Sequence, residues 1–140
     1  KFKKPCFGTC AGAILLSKKI NNEAEMGQHS VGAINIAVDR NYFGRQVHSF
    51  EQDVLLKSPY FGNETKTFPG IFIRAPAICS VGANVEVLAE LVRNNDEKVI
   101  VAARDGNNIV TAFHPELAND TRFHELFVSI VRQAKGVTAT

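Results

Sequence analysis

Cys10, His114 and Glu116 are the residues of this 140-residue sequence whose types and settings could do chemistry together. A thiol attacks as its thiolate and needs a base. An imidazole near neutrality suits that task, and a carboxylate can hold the imidazole in one orientation. Cys10 is the centre of Gly8-Thr9-Cys10-Ala11-Gly12. The short apolar run Pro5-Cys6-Phe7 precedes it, and a helical pattern follows at once. Strand, sharp Gly-x-Cys-x-Gly turn and helix is the plan of a nucleophile elbow. Glycines on both flanks are expected to relieve crowding in that turn. The helix N-terminus is expected to favour the thiolate. His114 and Glu116 flank Pro115 just beyond an apolar run, so both side chains can point the same way. Taken singly, each has a plainer reading: a buried Cys after a strand, a His-Pro turn, a solvated Glu. Taken together, they read better as nucleophile, base and orienting acid.

The remaining histidines and cysteines fit catalysis less well. His124 falls in a helical pattern, on its exposed side. His48 is expected mid-strand and His29 in a polar loop. Cys6 belongs to the strand entering the elbow. Cys79 is expected after a strand end, with no evident base. No Cys or His spacing matches a metal site. The odd cysteine count argues for a reducing compartment and against a disulfide framework. Net charge is +2, with mixed signs and one small cluster at Lys1, Lys3 and Lys4. That balance gives little support to nucleic-acid or membrane-surface binding. No apolar run is long enough to span a bilayer, and no secretory signal pattern is present.

The elements that must position these residues follow from periodicity. A buried helix is expected over 11–20, with Ile14, Leu15, Leu16 and Ile20 on its apolar face, then a loop over 21–30. Strands are expected over 31–38 and 46–55, joined by the polar and aromatic segment 39–46 as an antiparallel excursion. A long loop is expected over 57–69. A short strand from Ile71 should stop at Arg74-Ala75-Pro76, because proline has no N–H to give a ladder. Strands are expected over 85–92, 99–103 and 109–113, the last two joined by the turn Asp105-Gly106-Asn107-Asn108. Asn119-Asp120-Thr121 offers N-cap chemistry for a final helix. Its apolar positions Phe123, Leu126, Phe127, Ile130, Val131 and Ala134 make one face, and Gly136 is its stop. A hydrophobic fraction of 45% fits one globular domain over 1–140.

Phe7-Gly8-Thr9-Cys10-Ala11-Gly12 and Phe113-His114-Pro115-Glu116-Leu117 resemble class I glutamine amidotransferases. Arg40-Asn41-Tyr42-Phe43-Gly44-Arg45-Gln46, Ser49-Phe50-Glu51 and Phe72-Ile73-Arg74-Ala75-Pro76 narrow the resemblance to the glutaminase subunits of pyridoxal 5'-phosphate synthases. The match runs from about Pro5 to Val131. It implies an α/β fold, a flavodoxin-like three-layer sandwich around a central mixed sheet. It implies hydrolysis of L-glutamine to glutamate and ammonia, and no cofactor is expected; the cysteines and the lack of a signal point to the cytoplasm. The ammonia would pass to a partner, the (β/α)8-barrel synthase subunit. Cys10, His114 and Glu116 would form the triad, and the Ala11 N–H one oxyanion donor. Arg40, Ile73 and Arg74 match positions that contact bound glutamine, although a structural ion pair remains the plainer reading of the two arginines. The family also carries a first strand, a Leu-Gln-Gly segment and a Pro-Gly-Gly-Glu-Ser block, none of which this sequence contains. The expectation is therefore the C-terminal two-thirds of a glutaminase domain, with an incomplete sheet and exposed apolar edges. Another class I amidotransferase subunit, a non-catalytic binding relative and a cysteine hydrolase of similar fold are the alternatives.

Overall fold

The structure, a computed structural model, describes residues 4–21, 30–44, 49–57, 59–61 and 66–136. In chain order the strands are β1 (Cys6–Thr9), β2 (Ser17–Ile20), β3 (Ile34–Asp39), β4 (Ser49–Leu56), β5 (Thr67–Ile73), β6 (Ala77–Val81), β7 (Glu86–Val92), β8 (Lys98–Asp105) and β9 (Asn108–Thr111). Among the described residues the α-helices are α1 (Ala11–Leu16) and α2 (Arg122–Ala134). All nine strands of the described residues join one sheet, in the order β2-β3-β6-β8-β7-β4-β5, with β9 beside β8 and β1 beside β9. The β1–β9 and β2–β3 pairs are parallel and the others antiparallel, so the sheet is mixed.

Helices cover both faces, as a three-layer sandwich requires. Side chains alternate across a strand, and β9 shows the consequence. Ile109 packs in one core with Phe123, Leu126 and Ile130 of α2. Val110 packs in the other with Ala13 and Ile14 of α1. Phe123, Leu126 and Ile130 recur at helical spacing, and all three are buried. Full burial of side chains this size stabilises by about 1.5–3 kcal/mol each, so the amphipathic face alone accounts for α2. Its entry differs from expectation. The Thr121 side chain bonds Glu125, and the Asp120 carboxylate accepts the Arg122 N–H at 3.1 Å. Gly136 closes the helix at φ 74°.

The helix expected over 11–20 ends at Leu16. The Ser17 hydroxyl donates to the Ile14 carbonyl at 2.7 Å, and the backbone turns extended. Local hydroxyl–carbonyl bonds of this kind compete with helix. Ser17 and Ile20 are buried while Lys18 and Lys19 stay exposed, as the β2 edge strand. The strand expected over 31–38 starts at Ile34. It does not pair with β4; β2 and β6 flank it. The strand expected over 46–55 is β4, but Gln46, Val47 and His48 lie outside the described residues, as does His29.

β5 begins at Thr67, inside the expected loop. Pro69 is tolerated there because β4 pairs with only one edge of β5, and a residue without an N–H can occupy the other. β6 was not expected at all. Pro76 interrupts the run, but the chain resumes as a strand flanked by β3 and β8. Cys79 therefore sits within a strand, and its thiol accepts from the Asn21 amide at 3.5 Å. The β8–β9 turn uses Gly106 at φ 60°, and Asn108 already belongs to β9. Asn108 ties three segments together: its Oδ1 accepts the Cys6 N–H, and its amide donates to the Ala33 carbonyl. Among the described residues β1 has a strand on one edge only. No described helix is long and apolar enough to cross a membrane.

Candidate active site

Adjacent parallel strands β1 and β9 end side by side, and the two chemical groups sit just past their ends. Thr9 pairs with Thr111. The Cys10 N–H then donates to the Thr111 carbonyl at 2.8 Å. At Cys10 the backbone swings to φ 52°, ψ −105°, and α1 starts at Ala11. A non-glycine residue at positive φ is strained and persists only where its surroundings hold it. Gly8 is one reason this turn closes. A Cβ there would lie 2.6 Å from the Gly12 carbonyl oxygen. Gly12 differs: a Cβ on it would meet nothing within 4 Å. The crowding is therefore relieved by Gly8 alone.

Three residues beyond Thr111, the His114 N–H donates to the Ile71 carbonyl at 2.8 Å. The Cys10 thiol is 3.3 Å from the Ile73 carbonyl oxygen and 4.0 Å from that of Arg74. Carbonyls two residues apart on a strand point the same way, about 7 Å from each other. One edge of β5 therefore receives Cys10 and His114 together. Arg74 follows at φ 47°, so two of the three non-glycine residues at positive φ among the described ones face each other here.

His114 Nδ1 lies 2.7 Å from Glu116 Oε2. An ionised carboxylate there calls for a proton on Nδ1, leaving Nε2 as the acceptor. Pro115 opens the short 3-10 turn Pro115–Leu117 that brings Glu116 back to the imidazole. The thiol does not match the expected acidity. Burial pushes the Cys10 pKa above 9.0; the Ala11 N–H pulls it down by less, and the Glu116 charge pushes it further up. Desolvation outweighs the N-terminus of a six-residue helix. A raised pKa disfavours the thiolate. Ala11, directly after Cys10, is the first residue of α1.

The other expected site residues gather at this end of the sheet. Asp39, the last residue of β3, pairs with Ala77, three residues after Arg74. Arg40 follows directly and is half-buried. Ile73 and Arg74 are exposed. His124 is exposed on α2, as expected, with its ring 5.5 Å from that of Phe7. Sequence reasoning missed the carbonyls of Ile71 and Thr111, since backbone acceptors leave no residue-type signal. Among the described residues no three His, Cys, Asp or Glu side chains are grouped to hold a metal.

The chain matches the model of the SNO glutamine amidotransferase family over residues 1–133. It is 50% identical to the pyridoxal 5'-phosphate synthase subunit PdxT of Thermosipho africanus, over 92% of this chain and 62% of that protein. It is also 50% identical to the PdxT subunit of Herpetosiphon aurantiacus, over 90% of this chain and 62% of that one. The chain thus spans less than two-thirds of the length of these relatives. A crystal structure of a glutamine amidotransferase superposes with a TM-score of 0.74 at 42% identity, over 91% of this chain and 60% of the other. A GMP synthase-type protein from Thermoplasma acidophilum shares the fold, with a TM-score of 0.62 at 14% identity, over 96% and 61% of the two chains.

Proposed function

We propose, from the premise that this chain belongs to the SNO glutamine amidotransferase family, that its site hydrolyses L-glutamine through a covalent intermediate on Cys10. The observation that carries this reading is the pinning of Cys10 and the His114–Glu116 pair along one edge of β5. Nε2 of His114 accepts the thiol proton as Sγ attacks the side-chain amide carbon. The Ala11 N–H donates to the oxyanion. When the C–N bond breaks, His114 returns the proton to the nitrogen and ammonia leaves. A thioester remains. His114 then takes a proton from water, and hydroxide attack releases glutamate and the thiol. Glu116 stabilises the imidazolium that forms twice in the cycle. Because the thiol is held above its ordinary pKa, proton removal belongs to the chemical step.

Arg40 and Arg74 suit the α-carboxylate of glutamine, since a guanidinium pairs with carboxylate in two parallel hydrogen bonds. Ile73 contributes backbone beside the thiol. The acceptor of the ammonia is the barrel subunit of a pyridoxal 5'-phosphate synthase, and the names of the PdxT relatives support that partner. Residues 1–140 form the C-terminal two-thirds of a glutaminase domain, a reading that the one-sided pairing of β1 supports. The three free cysteines suit the cytoplasm.

The test is ammonia release from L-glutamine by the whole natural protein, alone and with the barrel subunit, against a Cys10→Ala control. Release that rises with the partner and disappears in the control is the expected result. Release that survives Cys10→Ala would remove Cys10 from the mechanism, and silence of the complete pair would end the glutaminase reading.

A further inference from the structure

Thr111 stands between the nucleophile and the base and touches both of their supports. Its carbonyl accepts the Cys10 N–H at 2.8 Å. Its hydroxyl donates to the Phe113 carbonyl, also at 2.8 Å. The residue is fully buried. After Thr111 the chain leaves its regular strand course. The Ala112 N–H still reaches Val101 of β8, and Ala112 and Phe113 then bend. His114 follows at φ −106°, ψ 87°. The Thr111 hydroxyl closes that bend from inside, on the carbonyl of the peptide whose N–H belongs to His114. The N–H of the same peptide is the one held by Ile71.

Residue type matters here. A β-branched side chain has a stiff χ1, which aims the hydroxyl along one direction. Water has no access to a fully buried site, so a lost donor is not replaced. The Phe113 carbonyl would be deprived of that bond, and the peptide carrying His114 would keep only its bond to Ile71. The Thr121 hydroxyl, by contrast, bonds an exposed Glu125 carboxylate on α2.

We propose that Thr111 is a positioning residue for this site, its hydroxyl fixing the peptide that carries His114 while its carbonyl fixes Cys10. The inference rests on the glutaminase reading for its kinetic consequence, but not for its structural one. It therefore takes two readouts in the whole natural protein, with its barrel partner. The first is kcat and KM for L-glutamine. The second is the pH profile of Cys10 alkylation by iodoacetamide, which needs no glutamine chemistry.

Thr111→Val keeps the shape and removes the hydroxyl. Thr111→Ser keeps the hydroxyl. Thr111→Ala serves as the partner of the Ser variant should Val fail to fold. Displacement of a catalytic group by about 1 Å can cost on the order of 100-fold in rate. The expected result is a fall in kcat of roughly 10- to 100-fold in the Val and Ala variants with KM within about twofold. The alkylation profile should shift in both, and the Ser variant should restore both readouts. Equal behaviour of the Ser and Ala variants, or an unshifted profile in Thr111→Val, would overturn the proposal while wild-type ammonia release left the glutaminase reading intact. A profile that shifts in Val and recovers in Ser, in a protein that releases no ammonia, would uphold the positioning role and reject the glutaminase reading.

Discussion

Two turns in this molecule hold a non-glycine residue at positive φ for different reasons. Asp96 sits at φ 62° in the β7–β8 hairpin. Its N–H donates to Arg93, the Arg93 N–H to Glu97, and Asn95 accepts from Glu97, all within five residues. Aspartate is among the residues that tolerate this conformation. Cys10 sits at φ 52° and has no such tolerance. Its restraints come from far along the chain, Thr111 through the backbone and Ile73 through the sulfur. The hairpin turn is local and self-sufficient. The elbow is held by β5 and β9 as well as by its own glycine. Strain that a residue type relieves by itself is turn chemistry; strain imposed from elsewhere marks the place where a group is being aimed.

The contrast is most easily broken at Gly8. Gly8→Ala drives a methyl into the Gly12 backbone. It should destabilise the protein by about 1–3 kcal/mol in thermal unfolding and lower ammonia release by roughly 100-fold. Gly12→Ala has open space and should gain up to about 1 kcal/mol as a better helix former. Equal costs for the two would mean that the elbow is not closed by the approach at Gly8.

Glu116→Gln tests the next restraint. The amide keeps a hydrogen bond but not the charge that steadies an imidazolium. We expect kcat to fall by roughly 10- to 100-fold with KM nearly unchanged, as steady-state kinetics would report.

Asp96→Gly and Arg74→Gly sharpen the comparison directly. Each relieves positive φ, worth about 1–2 kcal/mol against the added flexibility of glycine. Both should hold or raise Tm. Only Arg74→Gly should raise KM for glutamine, by about tenfold, the scale of a lost charge-assisted hydrogen bond. A KM change in Asp96→Gly would deny that the hairpin turn is independent of the site.

The smallest effect concerns Asp120. The Arg122 guanidinium beside it holds its carboxyl below the ordinary 3.8, and the same guanidinium reaches the Thr67 carbonyl at 2.6 Å, joining α2 to β5. A depressed pKa contributes stability that is present above the unfolded value and lost as pH falls through the folded one. Asp120→Asn should therefore cost no more than about 1 kcal/mol near neutrality. As pH falls below the ordinary 3.8, its Tm should fall less steeply than that of the wild type.

The elbow, the His-Pro-Glu turn and α2 were legible because each is encoded locally. Gly8 and Gly12 flank Cys10, Pro115 bends the chain between His114 and Glu116, and the α2 face repeats at helical spacing. β6 was not legible, because its residues Ala77–Val81 show little alternation and become a strand through two neighbours. β2 read as helix, since Ile20 continues the apolar period of Ile14 and Leu16. The Ser17 hydroxyl and the open edge of β3 decided otherwise.

What the sequence determined by itself is which residues could do chemistry together and which fold family can present them, since residue types and short spacings specify turns and helix faces. What only the tertiary structure decided is how the groups are poised. Burial, a long-range effect, raises the Cys10 pKa against the pull of the Ala11 N–H. The edge of β5, distant in sequence from both, brings Cys10 and His114 to one line. Desolvation and backbone acceptors depend on what packs against a residue, and no residue's own type records that.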